Sequence, residues 1–208
     1  MPAPLTIPLD EARAAFLAEL TAFEAAGESL DDISLLGASR AHGWSRLDCI
    51  VHVRMGLQEL LAGMNAQTDE ACDVDAASYW TTWEDSAVDD PVPGILMTRR
   101  TASAYTRPTH CLEHLRHVCT GLRRAAQALP DELVAFQSHV LSAGDLLATW
   151  AVELVVHHLD LDVPNEVSAP GPALAATALA RRTVVAIDAQ VDYSDDTEAV
   201  LRGFGRLT

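Results

Sequence analysis

Lysine is absent from this 208-residue sequence, and every basic residue is an arginine. Aromatic residues are only 5% of the chain, so a core must be built mainly from alanine, leucine and valine. Positive charge is scarce: 14 basic residues face 30 acidic ones, a net charge of −16. Such a surface repels nucleic acid and anionic membranes, which excludes both as expected partners. No run of 18 apolar residues is long enough for a membrane span. The four cysteines, Cys49, Cys72, Cys111 and Cys119, form no CxxC pair, which fits a reduced, cytoplasmic protein. The opening "MPAPLTIPLDEARAAF" lacks the basic region and apolar run of a secretory signal.

The hydrophobic content is 49%, and the length suits one domain over residues 1–208. Its periodicity is helical almost throughout. A first amphipathic helix is predicted from Leu9 to about Ala26, stopped near Gly27. Ser45 and Asp48 form an S-x-x-D capping box, with Trp44 and Cys49 placed as a staple, opening a second helix to about Met64. Residues 65–94 are acidic and read as a long connection with a short helical piece. A third helix starts near Ile95 or Pro108 and ends at Leu129, before Pro130. Ser142 and Asp145 make a second capping box for a fourth helix, with Pro164 beyond its end. A fifth helix covers about Ala173 to Gln190. No strand pattern and no internal repeat emerges. The predicted class is all-α: four main helices, a long crossover between the second and third, and one additional C-terminal helix.

The fourth helix carries "WAVELVVHHLDL", residues 150–161. Its apolar residues cover most of the circumference, as in a buried helix. Thr149, Glu153, His157 and Asp160 fall on one line at spacings of four, four and three, which stacks them on one face. One reading makes this line the wet face of an amphipathic helix. The other points Glu153 and His157 into a buried polar site. A carboxylate inside a bundle needs a cation or a proton, and a metal ion supplies that charge. Glu and His at i, i+4 can converge on one ion, and a third ligand must come from elsewhere. The candidate is His52, mid-helix in "DCIVHVRMG". Gly56, one turn on, leaves room beside its imidazole, and Asp48, one turn back, is placed to orient the ring. The alternative for His52 is a core histidine bonded to a backbone carbonyl. His158 is turned about 100° from His157 and is assigned to packing or a local hydrogen bond.

A rival stripe, His110, His114 and His117, lies about a third of a turn from the core face of Cys111, Leu115, Val118 and Leu122. It reads as a solvated flank. Cys111 and Cys119 fit the core as small hydrophobes better than they fit a nucleophile.

"GWSRLDCIVHV" followed by "WAVELVVHHLDL" resembles the DinB-like superfamily and, within it, the mycothiol-dependent maleylpyruvate isomerase group. The matching positions are Gly43, Trp44, Ser45 and His52, then Glu153, His157, Asp160 and Leu161, and the likeness covers roughly residues 9–190. It implies a DinB-like four-helix bundle in which His52, Glu153 and His157 bind a divalent metal, commonly zinc. Asp48 and Asp160 become partners that orient those ligands. Mycothiol is the implied thiol cosubstrate. The isomerases of that group carry a further α/β domain after the bundle, whereas this sequence runs only about fifty residues past His157. Isomerase and thiol S-transferase chemistry therefore both stand as expectations. Alternatives are a non-catalytic metal-binding bundle and a metal-dependent hydrolase. The expected partners are a small-molecule thiol and an electrophile, acting on a monomer or homodimer. Arg99 and Arg100, at the end of the long connection, are candidates to hold an anionic substrate, or are plain surface arginines. Arginine without lysine and abundant alanine fit a GC-rich, actinobacterial type of composition.

Overall fold

The structure, a computed structural model, describes residues 2–82, 92–162, 169–189 and 195–207. Helix α1 (Leu9–Glu28) buries Leu9, Ala12, Phe16, Leu20 and Phe23 on one stripe, the three- and four-residue spacing of a core-facing helix. The short α2 (Asp32–Leu36) is capped by the Asp31 side chain, which accepts from Ser34 N. Helix α3 (Arg46–Gly63) opens on the expected capping box. Ser45 Oγ accepts from Asp48 N at 3.1 Å, and Asp48 Oδ2 accepts from Ser45 N at 2.9 Å.

The long connection contains α4 (Ser78–Thr81), and α5 (Val92–Ala102) begins at its end. Of the two starts open for the third helix, Pro108 is close to that of α6 (His110–Ala128), and the stretch from Ile95 belongs to the separate α5, which ends at Ala102. Pro108 has no N–H to donate and pushes Arg107 out of the helical region, which disfavours one helix running through this point.

The expectation of no strands is corrected by a hairpin of β1 (Leu133–Phe136) and β2 (His139–Ser142), paired Leu133 with Ser142 through Phe136 with His139. Its two-residue turn places Gln137 at φ 49° and Ser138 at φ 67°. Such turns are normally signalled by Asn-Gly or Asp-Gly, and Gln-Ser gives no such signal.

Helix α7 (Ala143–Leu161) follows the strand directly. Ser142 caps it by accepting from Asp145 N. Asp145 does not complete the second capping box, because its Oδ1 accepts from Ile7 N at 2.8 Å instead. Burial raises the Asp145 carboxyl pKa above its ordinary value, against the pull of that bond. Helix α8 (Leu174–Ile187) ends three residues before the expected Gln190, which lies outside the described residues, as does Pro164. Helix α9 (Asp196–Gly203) is capped by Asp195.

Helices α1, α3, α6 and α7 form the bundle, with α1 and α3 each packed against both α6 and α7. α8 lies over α7 and α1, and α9 packs on α8 and touches α7. α7 is the centre: every one of its residues except Glu153 is buried. Each large apolar side chain there contributes roughly 1.5–3 kcal/mol of burial. The last carbonyls of α7 are met by arginine. Arg40 Nε donates to Leu159 O, Arg40 N to Asp160 O, and the buried Arg46 Nε to Leu161 O. Positive charge at a helix C-terminus is favourable, and here it fixes the turn that carries His157 and Asp160. No described helix is long and apolar enough to cross a membrane.

Candidate metal centre

Helices α3 and α7 bring His52, Glu153 and His157 together. Glu153 Oε1 lies 3.3 Å from His52 Nε2 and 3.2 Å from His157 Nε2. One donor atom from each of the three falls within 4.8 Å of the others. His157 is buried, while Glu153 and His52 keep 23% and 37% of their side chains exposed. The cluster therefore has an inner wall and an open side.

The electrostatics are those of a shared charge. Burial by itself would raise the Glu153 carboxyl pKa; the His157 charge and bonds from both histidines outweigh it and hold it well below the usual carboxylate range. Burial would depress His157, but it stands between Glu153 and Asp160 and is raised. The Asp160 carboxylate accepts at 3.0 Å from His157 Nδ1, which turns Nε2 toward Glu153. Two imidazole nitrogens and a carboxylate oxygen converging from two helices are a suitable donor set for a divalent ion such as zinc.

Asp160 is fully buried and takes two further bonds, from Arg206 Nε at 2.9 Å and Arg206 Nη2 at 3.1 Å. Burial pushes its pKa up, and these partners together pull it below the ordinary value. Arg206 was not legible as a site residue. It is one arginine in the tail "GFGRLT", outside any periodic pattern.

Trp44 covers the cluster. Its ring is stacked on His157 at 14° and 6.1 Å, and lies 4.8 Å from His52. Gly43 before it adopts φ +82°, a conformation glycine enters without steric cost. Cys49 Sγ donates to Ser39 Oγ at 3.2 Å, and Cys49, His157 and Asp160 form a second close group, wholly buried.

Other expected roles change. The carboxylate of Asp48 caps α3 and has Arg99 Nε at 4.0 Å; no described hydrogen bond joins it to His52. Gly56 does not leave open space beside His52: a Cβ there would stand 2.5 Å from the Trp150 ring, so the glycine makes room for that indole. His158 is buried between Glu19 and the chain entering α8. Nδ1 lies 2.6 Å from Glu19 Oε1, and Nε2 donates to Pro170 O at 2.6 Å. It is structural, holding α1, α7 and the start of α8 together. His110, His114 and His117 are exposed, as expected of a solvated flank. Burial pushes Cys111 and Cys119 up to about 12, which leaves both as protonated core thiols. Arg99 donates to Gly43 O and lines a separate polar recess.

On its open side the cluster faces a cleft of 680 Å3, lined by His52 and Glu153 and by residues of α3, α4, α5, α7, α8, α9 and the hairpin turn. Neither Arg99 nor Arg100 lines it. Gln137 reaches it from the turn, accepting from Tyr79 Oη and donating from Nε2 to Glu59 Oε2 at 3.0 Å.

Fold and site thus define a helical bundle with a His-Glu-His cluster at the head of a cleft. Residues 16–162 match the family described as mycothiol maleylpyruvate isomerase N-terminal domain, and the chain belongs to that family. The fold is similar to the crystal structure of a mycothiol-dependent maleylpyruvate isomerase, with TM-score 0.57 and 15% identity over 88% of this chain and 71% of that one. A histidine-to-alanine mutant described by the same name gives TM-score 0.57 and 14% identity over the same shares. No curated protein matches the chain.

Proposed function

We propose that this chain is a metal-dependent thiol enzyme, acting as a maleylpyruvate isomerase-like catalyst or a thiol S-transferase with mycothiol as the thiol. The observation that carries this reading is the convergence of His52, Glu153 and His157 beside the 680 Å3 cleft. Family membership supports mycothiol as the thiol. Three protein ligands would be one fewer than a closed structural zinc site uses, the pattern of a catalytic site. His52, Glu153 and His157 would hold a divalent ion, zinc by preference, which would supply the positive charge that favours ionisation of a thiol whose free pKa is about 8.5.

The residues divide the remaining work. His52 and His157 would each offer a ring nitrogen, and Glu153 a carboxylate oxygen. Asp160 holds the His157 ring with Nε2 toward the cluster, and Arg206 holds Asp160 ionised and oriented. Trp44 keeps water off the face of both rings. The cleft receives the electrophile next to the thiol, which exchanges an encounter in solution for a held geometry. In isomerisation the sulfur adds to a cis double bond conjugated to a carbonyl, the bond rotates, and elimination returns the thiol. In transfer the sulfur stays attached.

Purified protein is expected to carry about one zinc per chain, and His52→Ala to lose it while remaining folded. Metal analysis with circular dichroism checks this. Folded wild-type protein that takes up no divalent ion would remove the metal from the proposal. Consumption of mycothiol with maleylpyruvate and with a panel of electrophiles then tests the reaction.

A further inference from the structure

We infer that the electrophile received by this cleft is an uncharged, largely apolar molecule and not a dicarboxylate dianion. The inference rests on the thiol chemistry proposed above and narrows its second substrate, setting aside maleylpyruvate itself, a dicarboxylate, in favour of an uncharged electrophile.

The walls are the first observation. Met55, Trp80, Met97, Trp150, Ile187 and Phe204 line the cleft. Trp80 and Phe204 meet edge to face with centroids 5.1 Å apart, and Trp150 is pressed against the bare backbone of Gly56. Aromatic and thioether surfaces of this kind gain free energy by covering apolar surface, not by binding charge.

Charge is the second observation. Among the described residues two carboxylates line the cleft, the exposed Glu59 and Glu153 at its head, and no arginine does. The chain has no lysine, and all fourteen arginines lie within the described residues. No undescribed segment of this chain can therefore bring an arginine or lysine to the wall. The two charges of a divalent ion at the cluster would be matched by Glu153 and one thiolate. A dianion entering beside them has no partner, and a buried unpaired carboxylate is costly.

The third observation is that the hydroxyl and amide donors of the wall are committed, while the uncharged indole N–H of Trp80 has no described partner. Tyr79 Oη donates to Gln137, and Gln137 Nε2 to Glu59. Thr81 Oγ1 donates to Ser78 O at 2.9 Å, and Thr149 Oγ1 to Leu146 O at 2.8 Å. Beyond that one N–H, a carboxylate would have to break these bonds to be solvated.

Diethyl maleate and the maleate dianion present the same cis double bond and differ in charge. In the addition, the thiol sulfur bonds to one alkene carbon. The π pair moves to the other carbon, which takes up the proton the thiol released, so no oxidant or reductant is needed. With zinc-loaded full chain and mycothiol, the ester is expected to be consumed at least about tenfold faster than the dianion after the spontaneous rates are subtracted. Calorimetric binding to the same chain without thiol is expected to favour the ester by a similar factor.

Preferential binding of the ester with no turnover of either compound would uphold the cleft assignment and sink the thiol-enzyme reading. A dianion bound or consumed as well as the ester would overturn the cleft assignment while leaving thiol chemistry in place. An ester that fails to bind would overturn it too. Glu59 is exposed and lies outside the metal cluster, so Glu59→Arg reverses the charge at the wall at the loss of its one bond from Gln137 Nε2. It is expected to raise the dianion's relative binding at least about fivefold, and an unchanged ratio would overturn the charge argument.

Discussion

At Asp160 a fully buried carboxylate meets His157 on one side and the Arg206 guanidinium on the other. The chain of contacts runs from Arg206 to His157 Nε2, the proposed ligand atom. Groups that orient a metal-binding histidine typically matter 10–100-fold for affinity. Arg206→Ala is therefore expected to weaken zinc binding about tenfold, read by competition with a chelator of known affinity. The same variant strands a buried carboxylate and should cost about 3 kcal/mol, read from urea denaturation. Unchanged zinc affinity in a folded variant would show that Asp160 needs no help to hold the ring. The residue-level reading from sequence chose His52, Glu153 and His157 because each breaks an apolar context at a helical spacing. It also placed Asp160 on their line. It misjudged Gly56 and Asp48, since a sequence position one turn away does not say which side chain from another helix fills that space.

The hairpin shows the same division among elements. β1 and β2 are four residues each, too short to display alternation against a helical background. Their turn is made by two residues with side chains in the left-handed region, Gln137 and Ser138. That conformation costs roughly 1 kcal/mol per residue for an L-amino acid. Ser138→Gly is expected to stabilise the protein by about 0.5 kcal/mol, the relief less the added entropy of the unfolded chain. A thermal unfolding series checks it, and a loss of stability would mean that the Ser138 side chain contributes more than its strain. The strained turn sets Gln137 against Tyr79 and Glu59 at the cleft. α3 and α7 were legible as elements because their capping residues and burial pattern are local, while the break between α5 and α6 lay in a stretch where the sequence allowed two starts.

Across the molecule, contacts distant in sequence set the relative placement of the bundle and its connections. Asp32, at the start of α2, accepts from Thr109 N at 2.9 Å just before α6 and pairs with Arg107. The backbone bond from Thr109, then the bonds from Arg107, hold the Asp32 carboxyl down to about 2. A carboxyl lowered from 3.8 in this way stabilises the fold fully above 3.8, and the contribution is lost as pH falls toward 2. Asp32→Asn should thus lower stability at neutral pH, and its difference from the wild type should close over that acid window. Urea midpoints measured across the window test this; a difference that persists at pH 2 would assign the effect to something other than ionisation. The DinB-like architecture itself was readable from four helical periodicities and two short motifs. α2, α9 and the arginines meeting the end of α7 were not, because each is a brief segment whose value lies in its partner.

By itself the sequence determined the helical class, the two helices that carry the candidate ligands, and the charge balance of the chain. Those follow from periodicity, capping and composition, which are local or additive. Only the tertiary structure decided that Thr149 and Glu153 on the polar line of α7 face a cleft while His157 and Asp160 are buried behind it, that Arg206 reaches back to Asp160, and that every arginine stands away from the cleft wall. These are matters of which distant side chains share one dielectric environment, and that is settled only when the helices pack.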